Sequence, residues 1–450
     1  MRNLPRFVGK RSTDCLFAVI LAATTMANAQ DWVHTGTNLG AQKIRLAAAD
    51  FKAVGTDPAV TTAQQTFNQV LYSDLSNAGI FDMVSKSLAP TGTPGSPAEI
   101  NLAQWSAPPA NAAMVAFGAI NVQGGRDIVF GWLFDTKNTQ SPQVLGQQYN
   151  EADTPDTPRH IAHEFADAII SRLGGGINGI AESKIFYVSD RSGKKEIWEM
   201  DYDGANQHQI THLGQIALSP RISPDGGRLA FNELSSKGSN IRIFSMSLNR
   251  LVTFPVHDGT DFSPAWSPDG NNLAFSSSRT GDPEIWMSSA SGFNLRRITA
   301  FRGPDVSPVF NPKTGNQIAW ISGRTGLPQV YIMDSDGTAI QRMTDGGYAT
   351  SPSWSPNGQF LAYAWSRHYG PGAPGGQDIY VMDIASHRWI QLTHDIGRTD
   401  FPSWSPDGRH IVFQRTTHGH SEIWTMLADG SQQHALTKTG NGRMPNWSWK

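Results

Sequence analysis

Serine hydrolysis, metal-assisted chemistry and recognition of a sugar or a protein each demand particular side chains at particular spacings. A serine nucleophile on a strand-to-helix elbow needs Gly-x-Ser-x-Gly, and that pentapeptide is absent from the 450 residues. A metal-dependent enzyme needs several histidines or carboxylates that converge. The tightest pair, His418-Gly419-His420, shares one glycine turn, while His368, His394 and His410 hold no common position in the repeats described below. Recognition remains. Asp261, Asp305 and Asp400 recur at one repeat position and Arg279, Arg324 and Arg367 at another, so hydrogen bonding between loops and contact with a partner are both open to them. His257 and Tyr348 each occur in a single repeat, which favours contact over architecture. Aromatic loops such as those of Tyr348 and Tyr369 would also suit a carbohydrate.

The elements that position these loops come from one repeated stretch. Ser263-Pro264-Ala265-Trp266-Ser267-Pro268-Asp269-Gly270 has copies beginning at Ser219, Ser307, Ser351 and Phe401. The spacing is about 44 residues, stretched once to about 50, as in propeller blades. After each copy come an alternating segment, a Gly/Pro turn, an apolar segment such as Glu284-Ile285-Trp286-Met287, and a short fourth segment. That grammar is four antiparallel strands with tight Pro-Asp-Gly joints. One blade cannot bury both of its faces, so blades must stack radially. The first blade, with strands at 184–188, 196–200 and 207–211, lacks its opening strand, and Met444-Pro445-Asn446-Trp447-Ser448-Trp449 supplies a spare one. Residues 445–449 are therefore expected to pair beside 184–188 and close a ring of six blades. Trp198, Trp266, Trp286, Trp354, Trp404 and Trp424 fall at repeated strand positions and read as filling between blades.

Upstream, residues 1–29 read as a cleavable secretory signal: Arg2, Arg6, Lys10 and Arg11, an apolar run at 16–23, then Ala27-Asn28-Ala29. Removing it takes the formal charge from −2 to about −5 and removes Cys15, the single cysteine. Stability must then come from cores alone, which about 420 residues can supply as two domains. No basic excess points to nucleic acid. Residues 30–42 are polar, contain glycine and read as a flexible arm with an exposed Trp32. Residues 43–176 form a small α/β domain: a strand at 43–51, a helix at 61–77, a strand at 81–85, three strands at 113–122, 127–135 and 143–150, and a helix opening at Thr157-Pro158 with Thr157 as its cap. Gly174-Gly175-Gly176 reads as a flexible joint to the propeller at 177–450.

This order of parts resembles the TolB family, the periplasmic component of the Tol-Pal system. The resemblance rests on Asp74-Leu75-Ser76-Asn77-Ala78-Gly79-Ile80-Phe81, the helix at 159–173, and the six blades with their closing strand. It implies a non-enzymatic periplasmic scaffold without cofactor or metal, expected to be a monomer and to reach membranes only through partners. Those partners are the peptidoglycan-associated lipoprotein and TolA, and the implied role is maintenance of outer-membrane integrity and constriction at cell division. The lipoprotein is expected at a propeller mouth built from loops at 214–218, 257–262, 302–306, 346–350, 395–400 and 440–444. His257 is the first choice for contact, with Asp258, Gly259, Thr260, Asp305 and Tyr348 beside it. TolA is expected on the arm through Asp31, Trp32 and Val33, although Gly36 and Gly40 depart from the family's shorter arm. A propeller lectin or a metal-dependent propeller enzyme is the alternative.

Overall fold

A computed structural model describes residues 31–449 other than 38, 56, 237, 371–375 and 395. The expected signal segment lies outside the described residues. The chain begins with α1 (Asp31–Thr37), then β1 (Ile44–Ala48), β2 (Lys52–Ala53) and α2 (Pro58–Asn77). The last of these starts earlier than the apolar spacing indicates, because Asp57 accepts a hydrogen bond from the Ala59 amide and Pro58 opens the first turn. There follow β3 (Phe81–Met83), α3 (Leu102–Ser106), β4 (Met114–Gln123), β5 (Arg126–Asp135), β6 (Gln143–Ala152) and α4 (Thr157–Leu173). Asp156, one residue ahead of the expected Thr157, occupies the cap position of α4, and the Thr157 hydroxyl donates instead to the Ala152 carbonyl at 2.6 Å.

These strands make one sheet in the order β3-β1-β4-β5-β6, with β2 beside β4. Alternation along β4 serves two cores. Ala116 and Ile120 join Phe67 and Leu71 of α2 and Phe165 and Ile169 of α4, whereas Val115 and Phe117 pack with Trp105 of α3.

The remainder is six four-stranded blades. Blade one takes its inner strand, Arg443–Trp447, from the far end of the chain, with Trp447 opposite Ile185 and Asn446 opposite Phe186. The inner strands of blades two to six are Ile216–Ile222, Asp261–Trp266, Asp305–Phe310, Tyr348–Trp354 and Arg398–Trp404. Each carries a bulge at the motif's first residue, where φ is near +50°: Ser219, Ser263, Ser307, Ser351, Phe401 and Met444 have values between 50° and 55°. The proline that follows lacks an amide hydrogen, so the break costs the ladder little. At the other end of the motif the Ser267 hydroxyl and the Asp269 carboxylate hydrogen-bond at 2.5 Å and accept the amides of Asn272 and Asn271, which closes the turn.

Two segments that read as flexible make specific contacts in the structure. Residues 31–37 form a helix docked on blade five. The Trp32 ring lies 5.5 Å from that of Phe360 and has the Arg388 guanidinium 5.8 Å from its centroid, while Val33 is fully buried. Gly36 makes this possible, since a Cβ there would sit 2.2 Å from the Phe360 ring. The side chain of Asp31 lies outside the described residues. The glycine joint is likewise fastened. The Asp167 carboxylate accepts the amides of Ala181 and Glu182, and Arg409 donates to the Gly174 carbonyl at 3.2 Å.

Between the domains lies a buried polar seam. Tyr202 donates to Asp74 Oδ1 at 2.5 Å, and His163 Nδ1 meets Asp74 Oδ2 at 2.7 Å. Arg159 of α4 donates to Asp201 at 3.2 Å and to Asp203, and His410 Nε2 reaches the Asn77 carbonyl at 2.7 Å.

Candidate functional site

A four-stranded blade alternates its connections between two faces, so the loops between blades and those between second and third strands share one face. The Asp-Gly turns lie on the other. The residues expected to meet a partner belong to the loop face, and many of them are engaged there. His257 Nδ1 lies 3.2 Å from Asp261 and Nε2 lies 3.3 Å from the Gly292 carbonyl, while the ring stacks on Phe275 at 6.1 Å. Asp258 and Gly259 are exposed. Gly259 has φ +84°, and a Cβ there would lie 2.7 Å from the Arg279 amide nitrogen, so this turn needs glycine. The Thr260 amide donates to Ser278 Oγ at 3.0 Å.

The repeated charges build architecture in two blades. Arg279 pairs with Asp261 at 3.0 Å and Arg324 with Asp305 at 3.0 Å, both inside a blade. Asp305 is fully buried, and its Oδ1 has no partner among the described residues. Asp400 breaks the pattern. It accepts the hydroxyls of Ser351 and Thr350 at 2.8 and 3.2 Å, while Arg367 stacks on Trp365 and Trp389. Burial raises the pKa of Asp400, with these hydrogen bonds and Arg398 opposing.

Above this braced layer stand apolar side chains that sequence reasoning missed. Leu234, Val256, Phe301 and Leu327 are exposed on the loop face together with Tyr369, which pairs with the half-buried Tyr348 at 5.1 Å. Val256 is 66% exposed and Phe301 51%. A partial signal was in the sequence: Leu327 stands in Arg324-Thr325-Gly326-Leu327, where the corresponding loops carry Lys194 and Asp282.

At the turn face the axis opens into a cavity of about 380 Å³. Its wall is made by the ends of the inner strands, with Trp266, Trp354, Trp404 and Trp447 among the lining side chains. The tryptophans therefore do more than fill between blades. Trp266 Nε1 does bind the Arg221 carbonyl of the preceding blade at 3.0 Å, and Trp354 Nε1 binds that of Val309 at 3.2 Å. His418 and His420 are both exposed. Among the described residues, the group of three ligand-type side chains close enough for an ion is elsewhere, where His160 Nε2 lies 3.8 Å from both Glu151 and Glu164.

Comparison with known proteins bears on all of this. Two family profiles match, the TolB amino-terminal domain over residues 37–141 and the TolB beta propeller domain over residues 172–370 and 347–450. The Tol-Pal system protein TolB of Roseobacter denitrificans is 33% identical over 201 residues, and that of Haemophilus influenzae (strain PittEE) 28% over 251 residues. The matched stretch spans 44% of this chain and 44% of the Roseobacter protein, and 54% and 56% in the Haemophilus comparison. A crystal structure of TolB from Acinetobacter baumannii superposes with a TM-score of 0.75 at 23% identity, covering 90% of this chain and 97% of that one, and so shares the fold.

Proposed function

Because the chain belongs to the TolB family, we propose that it acts in the periplasm as a non-enzymatic scaffold, binding the peptidoglycan-associated lipoprotein at the loop face and TolA through residues 30–42. The observation that carries this reading is the loop face itself: exposed Val256, Phe301, Leu327 and Tyr369 stand over a layer of Asp–Arg pairs formed within their own blades. Exposed apolar anchors on a rigid polar base are what a protein partner requires. His257 then serves by holding the loop that presents Val256. Maintenance of outer-membrane integrity and support of constriction are the cellular roles that follow from tying these partners together.

The docked helix α1 supports a coupling between the two sites. Trp32 and Val33 cannot meet TolA while they pack on blade five, so the arm's affinity is lowered by the fraction of molecules in which it is docked. A lipoprotein that binds the docked and undocked forms unequally shifts that fraction, and the effect is reciprocal.

Calorimetric titration of residues 30–450 with the soluble domain of the same organism's lipoprotein tests the assignment. Saturable one-to-one binding, lost on Val256→Asp and weakened on His257→Ala, is expected. Absence of binding by the parent protein refutes the partner. Binding to isolated peptidoglycan in its place favours a lectin, for which the Tyr348–Tyr369 pair would be the platform.

A further inference from the structure

The turn-face cavity contains one charge, Arg221, that no carboxylate among the described residues answers. Six residues occupy the same motif position on the six inner strands: Arg221, Ala265, Val309, Ser353, Ser403 and Asn446. Five are small or neutral, and three of these tie blades together: Asn446 accepts the Ile222 amide at 2.9 Å, Ser403 that of Trp447 at 3.0 Å, and Ser353 that of Trp404 at 3.4 Å. Arg221 breaks the ring. The hydrogen bond of its guanidinium is to the neighbouring Pro220 carbonyl at 2.8 Å, and among the described residues no carboxylate pairs with it. Burial pushes its pKa down to about 10, with no acidic neighbour in opposition. A guanidinium held in an aromatic-walled cavity normally has an anion. Its planar fork matches a carboxylate.

A second feature leads to the first. Between α4 and the propeller runs a groove of about 1060 Å³ that shares Pro356 and Trp449 with the cavity. Glu164, Asp167, Glu182 and Asp407 line it, and no lysine, arginine or histidine does. Burial raises Asp167 to about 7, so a cation brought alongside would be favoured. An extended chain lying in this groove meets acidic side chains along its length, then aromatic walls, then the guanidinium.

We propose that groove and cavity together bind the carboxyl-terminal tail of an extended polypeptide whose basic residues precede an apolar last residue with a free carboxylate. The basic residues face Glu164, Asp167 and Glu182, the apolar side chain packs between Trp266, Trp354 and Trp404, and the carboxylate pairs with Arg221. This site is on the face opposite the exposed loops and stands independently of the partners assigned to them.

The test uses residues 30–450 and three probes: Lys-Lys-Ser-Ala-Phe with a free carboxylate, the same peptide amidated, and Glu-Glu-Ser-Ala-Phe with a free carboxylate. Binding is read by calorimetry and by quenching of tryptophan fluorescence. The basic free-acid peptide is expected to bind at least about tenfold more tightly than either relative, the worth of one charge-assisted pair. Arg221→Gln should erase the difference between acid and amide, and Arg221→Lys should keep part of it. Neither substitution should lower the unfolding midpoint, since the guanidinium has no carboxylate partner to lose. Equal binding of acid and amide, or an unchanged preference in Arg221→Gln, overturns the proposal. So does phenylacetate binding as tightly as the peptide, which would mark a small-molecule site.

Discussion

Tyr202→Phe is the sharpest probe of how the two domains are held together. The phenol is 5% exposed and its hydroxyl donates to Asp74, whose other oxygen meets His163. The substitution keeps the ring and removes one hydrogen bond, so no cavity term enters. The adjacent void of about 10 Å³ is at the lower limit for a replacement water. Burial already raises the Asp74 pKa, opposed by His163 and Tyr202, and loss of the hydroxyl removes part of that opposition. A hydrogen bond to a charged group contributes about 1.5–3 kcal/mol, so domain contact should weaken by about 2 kcal/mol. That corresponds to roughly a thirty-fold rise in the opening constant. A two-domain chain need not unfold in one step, so the readout should be local. Hydrogen exchange of residues 177–183, the segment that bridges the domains, is expected to accelerate by this factor while exchange in the core of blade four is unchanged. Asp74→Ala should cost about 3–5 kcal/mol, because it strands both His163 and Tyr202. Exchange within twofold of the parent in Tyr202→Phe would refute the claim that this seam holds the domains.

The His410–Asp407 pair makes domain contact depend on pH. Burial alone would lower the His410 pKa, but the Asp407 carboxylate and the Asn77 carbonyl outweigh it and raise the value above the usual 6.5. Its stabilisation is therefore present below about pH 6.5 and lost as pH rises through the raised value. The urea midpoint of the parent should fall above pH 6.5 more than that of His410→Gln, and parallel curves would contradict the assignment. Asp167 adds a loss common to both proteins between about pH 4 and 7, because burial raises its pKa. Salt bridges on the loop face should divide by burial. Arg324→Ala strands the fully buried Asp305 and should cost about 3–5 kcal/mol, whereas Arg398→Ala, whose side chain is 61% exposed, should cost about 1 kcal/mol or less by thermal unfolding. Equal costs would show that burial is not the deciding factor.

Much of the architecture was legible because it is periodic. The repeated Ser-Pro and Asp-Gly steps encode a bulge and a turn through local backbone preference, and the unmatched strand at 445–449 had one unmatched edge to join. What escaped is non-local and non-periodic. Nothing near Gly36 shows that it will press against Phe360, and nothing near Asp400 shows that it will bind Ser351 in place of Arg367. His257 was identifiable as a special loop residue, but its stacking on Phe275 and its bond to Gly292 reach a strand and a separate turn of the next blade. Arg221 was hidden by the repeat itself, since a motif that tolerates Ala, Val, Ser and Asn at that position gives no warning of a charge.

The strand that closes the ring is also the last to arrive. A polypeptide is made and exported from its amino terminus, so Lys184–Ser189 must wait beside an empty edge until Arg443–Trp447 is delivered, after five whole blades have formed or begun to form. Only then can Trp447 Nε1 reach Ser183 Oγ, at 2.7 Å, and Lys184 donate its amide to Ser448. A copy cut short anywhere in the propeller keeps a bare strand, which proteases and chaperones read as unfinished. The fold thus carries its own proof of completeness.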